Sequence, residues 1–500
     1  MKQPATWVMI VSVLALAAGC RVGEMDVRPA SNLPARFIES GSALAEEARA
    51  PDQGLEWWKV FRDAELDARM ARVLEANHDL RLAGARWEEA RAAAGLARTP
   101  LHPKLDGAAQ TGRSRLSGES LNGRQIRQAG QPLENNLFHA GVDASWEIDV
   151  FGAVRWGAEA ASADWEVAEE HRRDVQIQVL AETGLAWVDY GAATRLSKLA
   201  RDHARVHEST LALASDRRRA GVGTELDEAR AQAQWHSTQA RIPELEEQAR
   251  RAWHRLAVLE GRPASATEPS EPLSPTLAQT ELRVPIGLPS ELLQRRPDVR
   301  KAERELAAAT ARAGLARTEW FPRFYLTGAA GLESVEASDF LDGGSRFWSL
   351  GPSIRWPILH AGRIRRHVEI QDARRGQAWI RYEQAIAKAL EDVETALVGF
   401  GREQERNHML REAGKAAALA SRLASDRYEA GVTGFQDVLE AQRVDLEAQA
   451  GVVESDQTLA KHLIRLYKAL GGGWSPVSTA ASHGAKGSNG LPLDLPSDPQ

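Results

Sequence analysis

The sequence has little of what crosslinks a chain or performs catalysis. Its 500 residues include one cysteine, Cys20, so no internal disulfide bond can form. No phosphate-binding loop, dinucleotide fingerprint or nucleophile–base pair occurs, so we expect neither enzymatic activity nor a cofactor. The formal net charge of −6 does not favour a nucleic-acid partner. These absences argue against an enzyme and against a nucleic-acid-binding protein.

An apolar stretch stands at the N-terminus. Lys2 precedes Trp7–Ala18, which is too short to cross a bilayer as a helix and is typical of a secretory signal. Cys20 follows Ala-Ala-Gly and resembles the lipidated cysteine of bacterial lipoproteins, although Leu16 lies one position further away than in the commonest pattern. Arg21 then favours the outer membrane. We expect a signal peptide over 1–19 and lipidation of Cys20; an ordinary signal with a chance cysteine is the alternative.

The hexapeptide AGLART occurs twice, at Ala94–Thr99 and at Ala313–Thr318, 219 residues apart. Further along, the matching positions lie 210 residues apart, as Gly141 does from Gly351. The chain is therefore an internal duplication whose first copy carries nine extra residues between AGLART and Gly141. Insertions collect in surface loops, so we expect an exposed loop in that interval.

Each copy contains a long stretch without proline, from Gly152 to Gly221 and from Gly362 to Gly431. A helix over either stretch would be ~100 Å long at ~1.5 Å per residue, which is typical of a coiled coil. A shorter helical limb returns from each glycine turn. Pro243 lies inside the first returning limb, where we expect it to kink the helix.

Four other segments alternate in hydrophobicity, over 104–114, 138–150, 323–332 and 347–358. Their length suits membrane-spanning β-strands, which need ~9–11 residues, although soluble hairpins remain possible. Four strands cannot close a barrel, and an open edge is not viable in lipid, so three chains would supply twelve strands. The expected girdle of interfacial aromatic residues consists of Trp146, Trp320, Phe321, Phe347, Trp348 and Trp356.

Several motifs together resemble the outer-membrane factors of the TolC/OprM type. They are LPSELLQRRPDVR at Leu288–Arg300, both AGLART copies, and Gly-Gly-Gly-Trp at Gly471–Trp474. The nearest branch is the lipoprotein members that serve resistance–nodulation–division efflux pumps. The resemblance implies a mainly helical homotrimer with a coiled-coil tunnel and a twelve-stranded β-barrel in outer-membrane lipid. It also implies an exit duct for drugs or other small molecules, with a periplasmic adaptor and an inner-membrane pump as partners.

The resemblance also places a periplasmic gate at the turns of the helical hairpins. Acidic rings would stand at Asp437 and Glu440, with Asp227 as the corresponding residue of the first hairpin, because threefold carboxylates in a narrow tube concentrate negative potential. Simple complementation of a helix dipole is the alternative. Tyr428 stands at a gate tyrosine, and Thr433 stands where some members carry an arginine. The expected adaptor-contacting tips are Gly221, Val222, Gly223, Gly431, Val432, Thr433 and Gly434.

The expected domain organisation follows the duplication. A lipid anchor and extended segment (20–55) precedes repeat 1 (56–261), a proline-rich linker (262–287), repeat 2 (288–474) and a disordered tail (475–500). Two other functions stay open: a type I protein-secretion duct, which usually lacks the lipoprotein signal, and a coiled-coil lipoprotein scaffold without a pore.

Two further side-chain clusters lie on the first long helix. His203 and His207 have a spacing that a metal ion could use, but no cysteine or carboxylate–histidine motif accompanies them. We expect a solvated helix face there and no metal. Arg217–Arg219 are also expected to be exposed, close enough to the tip to contact a partner.

Overall fold

A computed structural model describes residues 56–265 and 295–474, together with Pro34, Phe37–Ile38, Ala45–Glu46 and Val284–Pro285. The expected signal peptide, Cys20, most of the N-terminal segment and linker, and the tail after Trp474 lie outside the described residues.

The described ranges are mostly helical. Their α-helices are α1 (Ala64–Ala76), α2 (His78–Arg98), α3 (Leu121–Gln128), α4 (Ala153–Arg219), α5 (Glu225–Leu259), α6 (Pro297–Thr318), α7 (Ala361–Glu429) and α8 (Phe435–Ala469). The strands are β1 (Ala45–Glu46), β2 (Lys104–Arg115), β3 (Glu134–Ile148), β4 (Val284–Pro285), β5 (Arg323–Ser334) and β6 (Arg346–Arg355).

The two long helices have the expected length. α4 contains 67 residues and α7 contains 69, so each is ~100 Å long. The start of α4 is fixed by the Asp149 carboxylate, which accepts hydrogen bonds from the backbone N–H groups of Val154 (3.1 Å) and Arg155 (2.9 Å). These bonds satisfy two donors that a helix N-terminus otherwise leaves free.

Pro243 does not interrupt the first returning limb, because α5 continues through it. Proline removes the hydrogen bond to the carbonyl four residues earlier, which belongs to Gln239. Both residues are exposed, so water can reach that carbonyl group. The helix therefore tolerates at this position a residue that is costly in a buried helix.

The four longer strands form one antiparallel sheet in the order β2-β3-β5-β6. Its registers reproduce the repeat: Lys104 pairs with Ser145 in the first hairpin, and Arg323 pairs with Arg355 in the second, which lie 219 and 210 residues later. The duplication is thus confirmed at the level of single residue pairs. The extra residues of the first copy lie between β2 and β3, where α3 forms.

Two strands differ at their ends from the expected segments. β3 begins at Glu134, before Phe138, because the Glu134 carboxylate binds Arg113 (2.6 Å) and Arg115 (2.9 Å) of β2 across the ladder. β6 ends at Arg355, just before Trp356 and Pro357, and proline has no N–H for a sheet ladder.

The main hydrophobic core lies halfway along the long helices, where α1, α4, α5, α7 and α8 meet. Trp57, Trp187 and Trp253 are each at most 5% exposed there. The buried ion pair between Arg69 and Glu260 (2.7 Å) closes this core, with the guanidinium over both Trp187 and Trp253. The core fixes both helical hairpins at mid-height and leaves their tips far from it.

The helices and strands at the outer edges of the chain are much more exposed than those that pack between the two repeats. α6 packs between α4 and α7 and buries eleven residues, whereas its counterpart α2 buries only Ala83 and Ala94. Every residue of β2 is exposed, and β6 is nearly as open. One edge of the molecule thus presents α2 and β2, and the opposite edge presents α7 and β6.

Candidate functional site

Both helical hairpins turn through the same backbone motif. Gly221 and Gly431 adopt φ values of +77° and +73°, a region that favours glycine. The N–H of Val222 donates to the Arg217 carbonyl (3.0 Å), and that of Val432 donates to the Arg427 carbonyl (2.8 Å). This pattern closes each helix with a Schellman turn. It leaves the side chains of both valines more than 60% exposed at the tips.

The two returning helices start differently. Thr224 begins α5, and its hydroxyl accepts from the Asp227 backbone N–H (3.1 Å) while the Asp227 carboxylate accepts from the Thr224 N–H (3.3 Å) and hydroxyl (2.7 Å). This is a complete capping box. Asp227 therefore has a local structural role.

The second hairpin has Gly434 at the capping position, and glycine has no side chain to offer. Asp437, which corresponds to Asp227, is exposed. Within the described ranges its carboxylate has neither a hydrogen-bond donor nor an ion-pair partner. Of the two repeat-related aspartates, only Asp437 has a carboxylate without a hydrogen-bond donor among the described residues.

Glu440 is exposed one turn further along α8, but it is paired. Arg443 binds it in an i,i+3 ion pair (2.6 Å) and also binds Glu447 (2.8 Å). Hydrogen bonding from Arg443 lowers the pKa of Glu440, so this carboxylate stays ionised with its charge largely balanced. Its contribution to a negative ring is therefore smaller than that of Asp437.

Tyr428 lies in a buried cluster that joins the two hairpin tips and is 7% exposed. Its ring contacts Phe435 at 5.3 Å between centroids, and the Arg217 guanidinium of the other hairpin lies 4.7 Å above it. Burial raises the pKa of the phenol, and Arg217 opposes that shift. Thr433 supplies no cation, and its hydroxyl is buried without a partner.

Arg217 is not exposed as expected, because it contacts Tyr428 of the other hairpin. It is half-buried over Tyr428, whereas Arg218 and Arg219 are exposed as expected. The two residues of this cation–π pair are more than 200 positions apart, so no local sequence pattern predicts their contact.

The histidine pair on α4 is not solvated, contrary to expectation. His203 is 8% exposed and His207 is 1% exposed, because α5 and α8 both pack over this face of α4. No group of three or more histidine, cysteine, aspartate or glutamate side chains in the described ranges could hold a metal ion.

The expected aromatic girdle lies at the two ends of the sheet. Trp348 and Trp356 are 80% and 56% exposed, and the eight residue steps from one to the other span ~27 Å of extended chain. The indole N–H of Trp356 donates to the Trp320 carbonyl (3.1 Å), as that of Trp146 does to the Leu101 carbonyl (3.2 Å) at the corresponding place.

The two phenylalanines of the expected girdle are half-buried by aromatic neighbours. Phe321 stacks on Phe151 (4.6 Å) at the helix end of the sheet, and Phe347 contacts His139 (5.3 Å) at the loop end. Among the described residues, no helix is both long and apolar enough to cross a membrane.

The chain matches the family model described as outer membrane efflux protein over residues 70–262 and 288–472, two segments that coincide with the two repeats. It is 32% identical over 486 residues to the outer membrane protein OprJ of Pseudomonas aeruginosa, which covers 97% of this chain and 99% of that protein.

Solved channels have the same architecture. The outer-membrane channel OprN is 32% identical, with a TM-score of 0.84 over 91% of this chain and 100% of that chain. The MtrE outer membrane channel of Neisseria gonorrhoeae, in its open state, is 28% identical, with a TM-score of 0.77 over 91% of this chain and 98% of that chain. The chain therefore belongs to the outer membrane efflux protein family, and its function is that of an outer-membrane efflux channel.

Proposed function

We propose that three copies of this chain form the exit duct of a tripartite efflux system. The duct passively conducts small molecules that an inner-membrane pump of the resistance–nodulation–division type and a periplasmic adaptor deliver to it. The observation that carries the proposal is the incompleteness of the single chain, whose two open edges are related by its own internal repeat.

The sheet makes this relation specific. Between the repeats, β3 pairs with β5 so that His139 lies opposite Glu333, with their side chains 3.3 Å apart. In the duplication, His139 of the first repeat corresponds to Ser349, 210 residues later, and Glu333 of the second repeat corresponds to Ser114, 219 residues earlier. The same pairing between two copies therefore places Ser349 of one copy opposite Ser114 of the next. Three copies joined in this way supply twelve strands with no free edge.

The helices follow the same rule. Between the repeats, α4 packs on α6, with Trp156 so close to Gly314 that a methyl group there would lie 2.7 Å from the ring. The corresponding helices at the edges are α7 and α2. They leave large apolar side chains half-exposed or more, and such side chains indicate a protein interface. The exposed set includes Leu82 and Leu96 on α2 and Ile370 and Ile380 on α7.

At the tips, three copies would bring together three Asp437 carboxylates that have no cation to balance them. Negative charge in a narrow opening favours cations and slows anions. We assign Asp437 to the constriction, with the exposed Val222 and Val432 as contacts for the adaptor.

A disulfide crosslink tests the assembly. Residues opposite each other in an antiparallel pair have Cα atoms ~4.5–5.5 Å apart, which suits a disulfide. We expect Ser114→Cys with Ser349→Cys to give a covalent trimer on a non-reducing gel. The matched control is Arg113→Cys with Ser349→Cys, because a one-residue shift points the two side chains to opposite faces.

Equal crosslinking in both variants, or none in either, would contradict the proposed assembly. Covalent dimers without trimers would favour a two-chain scaffold over a duct.

The lipid anchor is a separate part of the proposal. Cys20 follows a secretory signal and would carry the acyl chains that hold the N-terminus at the outer membrane. Palmitate labelling of the wild type and of Cys20→Ser checks this: label that persists in the variant would remove the assignment.

A further inference from the structure

A continuous seam joins the two hairpins within one chain, where α8 runs antiparallel to α4. Near mid-height Lys461 binds Asp189 (2.5 Å), and Arg195 binds Asp456 (3.4 Å). Closer to the tip, the Gln442 side-chain amide donates to the Thr210 hydroxyl (3.1 Å). Beyond that, the seam ends in the buried apolar cluster around Tyr428. Any movement of one hairpin against the other must shift this seam.

His203 and His207 occupy the middle of the seam, with ring centroids 6.1 Å apart. The Nδ1 atom of His207 lies 3.0 Å from the Thr238 hydroxyl of α5, and its Nε2 atom is buried without a partner. The Nδ1 atom of His203 is also buried without a partner. A ring in this setting has no acceptor for a second N–H.

The charged groups around the pair are few. Asp445 of α8 and Asp202 of α4 act on His203, which also has a hydrogen bond with Gln449. The only group that α5 presents to the pair in the contacts described is the Thr238 hydroxyl. Among the described residues, no carboxylate acts on His207. Burial, aided by His203, lowers the pKa of His207 to about 4, and burial also lowers the pKa of His203.

We propose that the His203–His207 pair is a proton-sensitive joint. The neutral pair lets α4, α5 and α8 pack together, and protonation loosens the seam and frees the hairpins to move apart toward the tip. His207 lies 14 residues before Gly221, or ~21 Å along the helix, so the joint acts at a distance from the turn itself.

The sign follows from proton linkage. The pKa of a histidine is near 6.5 in water and lower when the ring is buried. Above pH 6.5 the ring is neutral in both states and the packed seam keeps its full stability, and that stability is lost as the pH falls below 6.5. Because the pKa of His207 is lowered to about 4, the equilibrium constant for loosening the seam is roughly 30-fold larger at pH 5 than at pH 7.5.

Hydrogen exchange of the assembled protein tests the joint, because exchange reports the opening of local structure. We expect the α4 amides around His207, corrected for intrinsic rates, to lose roughly tenfold or more of their protection between pH 7.5 and pH 5. His207→Asn keeps a group near the Nδ1 position and cannot be protonated there, so its loss of protection should be clearly smaller than that of the wild type, with only His203 left to respond. His236→Asn removes an exposed histidine of α5 and should respond as the wild type does.

A second variant keeps the test sharp if His207→Asn disturbs packing at neutral pH. Asp445→Asn removes the carboxylate that favours protonated His203 in the packed seam, so protonation should destabilise the seam more and the acid loss of protection should be larger than in the wild type. An acid response that is absent in the wild type, equal in His207→Asn, or no larger in Asp445→Asn overturns the joint.

Only the conductance consequence rests on the proposed duct: acid should raise channel opening in the wild type and raise it less in His207→Asn. A protein that never conducts but shows the exchange pattern would contradict the duct and leave the joint standing.

Discussion

At the scale of single residues, the tips show that equal positions in a repeat need not have equal roles. Asp227 and Asp437 correspond, yet Asp227 is held in the Thr224 capping box and Asp437 is free. The difference comes from one position, which is threonine in the first copy and glycine at 434 in the second. A side chain that can complete a capping box holds its carboxylate in hydrogen bonds to the helix start.

We therefore predict different results for the two aspartates. Asp437→Ala should weaken the preference for cations and raise conductance in planar bilayers under a salt gradient, because three unbalanced charges leave the opening. Asp227→Ala should change the ion preference less, and it should destabilise the start of α5 by about 1 kcal/mol in thermal unfolding. The same loss of selectivity in both variants would contradict the assignment of Asp437.

At the scale of elements, each hairpin depends on a glycine at its turn. Gly431 has a positive φ, a backbone conformation that costs any L-residue with a side chain ~1–2 kcal/mol. No neighbouring atom lies within 4 Å of a methyl group built there, so the strain would be purely conformational.

We predict that Gly431→Ala destabilises the tip by about 1 kcal/mol, measured as faster hydrogen exchange of the residues flanking the turn. Gly157→Ala is the matched control. Gly157 lies in the interior of α4, and a methyl group there also meets nothing within 4 Å of its own chain. Because alanine is the better helix former, that change should stabilise α4 by up to about 1 kcal/mol. Destabilisation by both substitutions would show that backbone conformation is not the cause.

At the scale of the whole molecule, the open edges decide assembly. Leu96 on α2 is 71% exposed, whereas its repeat counterpart Leu315 packs against the Trp156 cluster between the repeats. In the assembled duct, α7 of a neighbouring copy would cover Leu96.

We predict that Leu96→Glu prevents trimer formation, because a carboxylate would be buried without a partner at the interface between copies. Leu341→Glu is the control, since Leu341 is 79% exposed in the loop between β5 and β6 and away from that interface. Size-exclusion chromatography with light scattering separates the two outcomes. A Leu96→Glu protein that remains trimeric would show that this edge is not the contact.

Much of the architecture was already determined by the sequence. Two helices of about seventy residues, their glycine turns and the four strands follow from proline-free runs, positive-φ glycines and alternating segments, which act over a few neighbouring residues. The duplication adds long-range information, because its two offsets relate pairings in one repeat to those in the other. The helix continues through Pro243, and the exposure of the backbone that permits this was not readable from the chain.

Only the tertiary structure decided the chemistry of the tips and of the seam. Arg217 meets Tyr428, and the histidine pair is buried instead of solvated, both through contacts that composition and spacing do not encode. Local preferences choose the elements of this chain. The charge and burial of a side chain depend on which distant helix covers it, and that is settled only when the two hairpins pack.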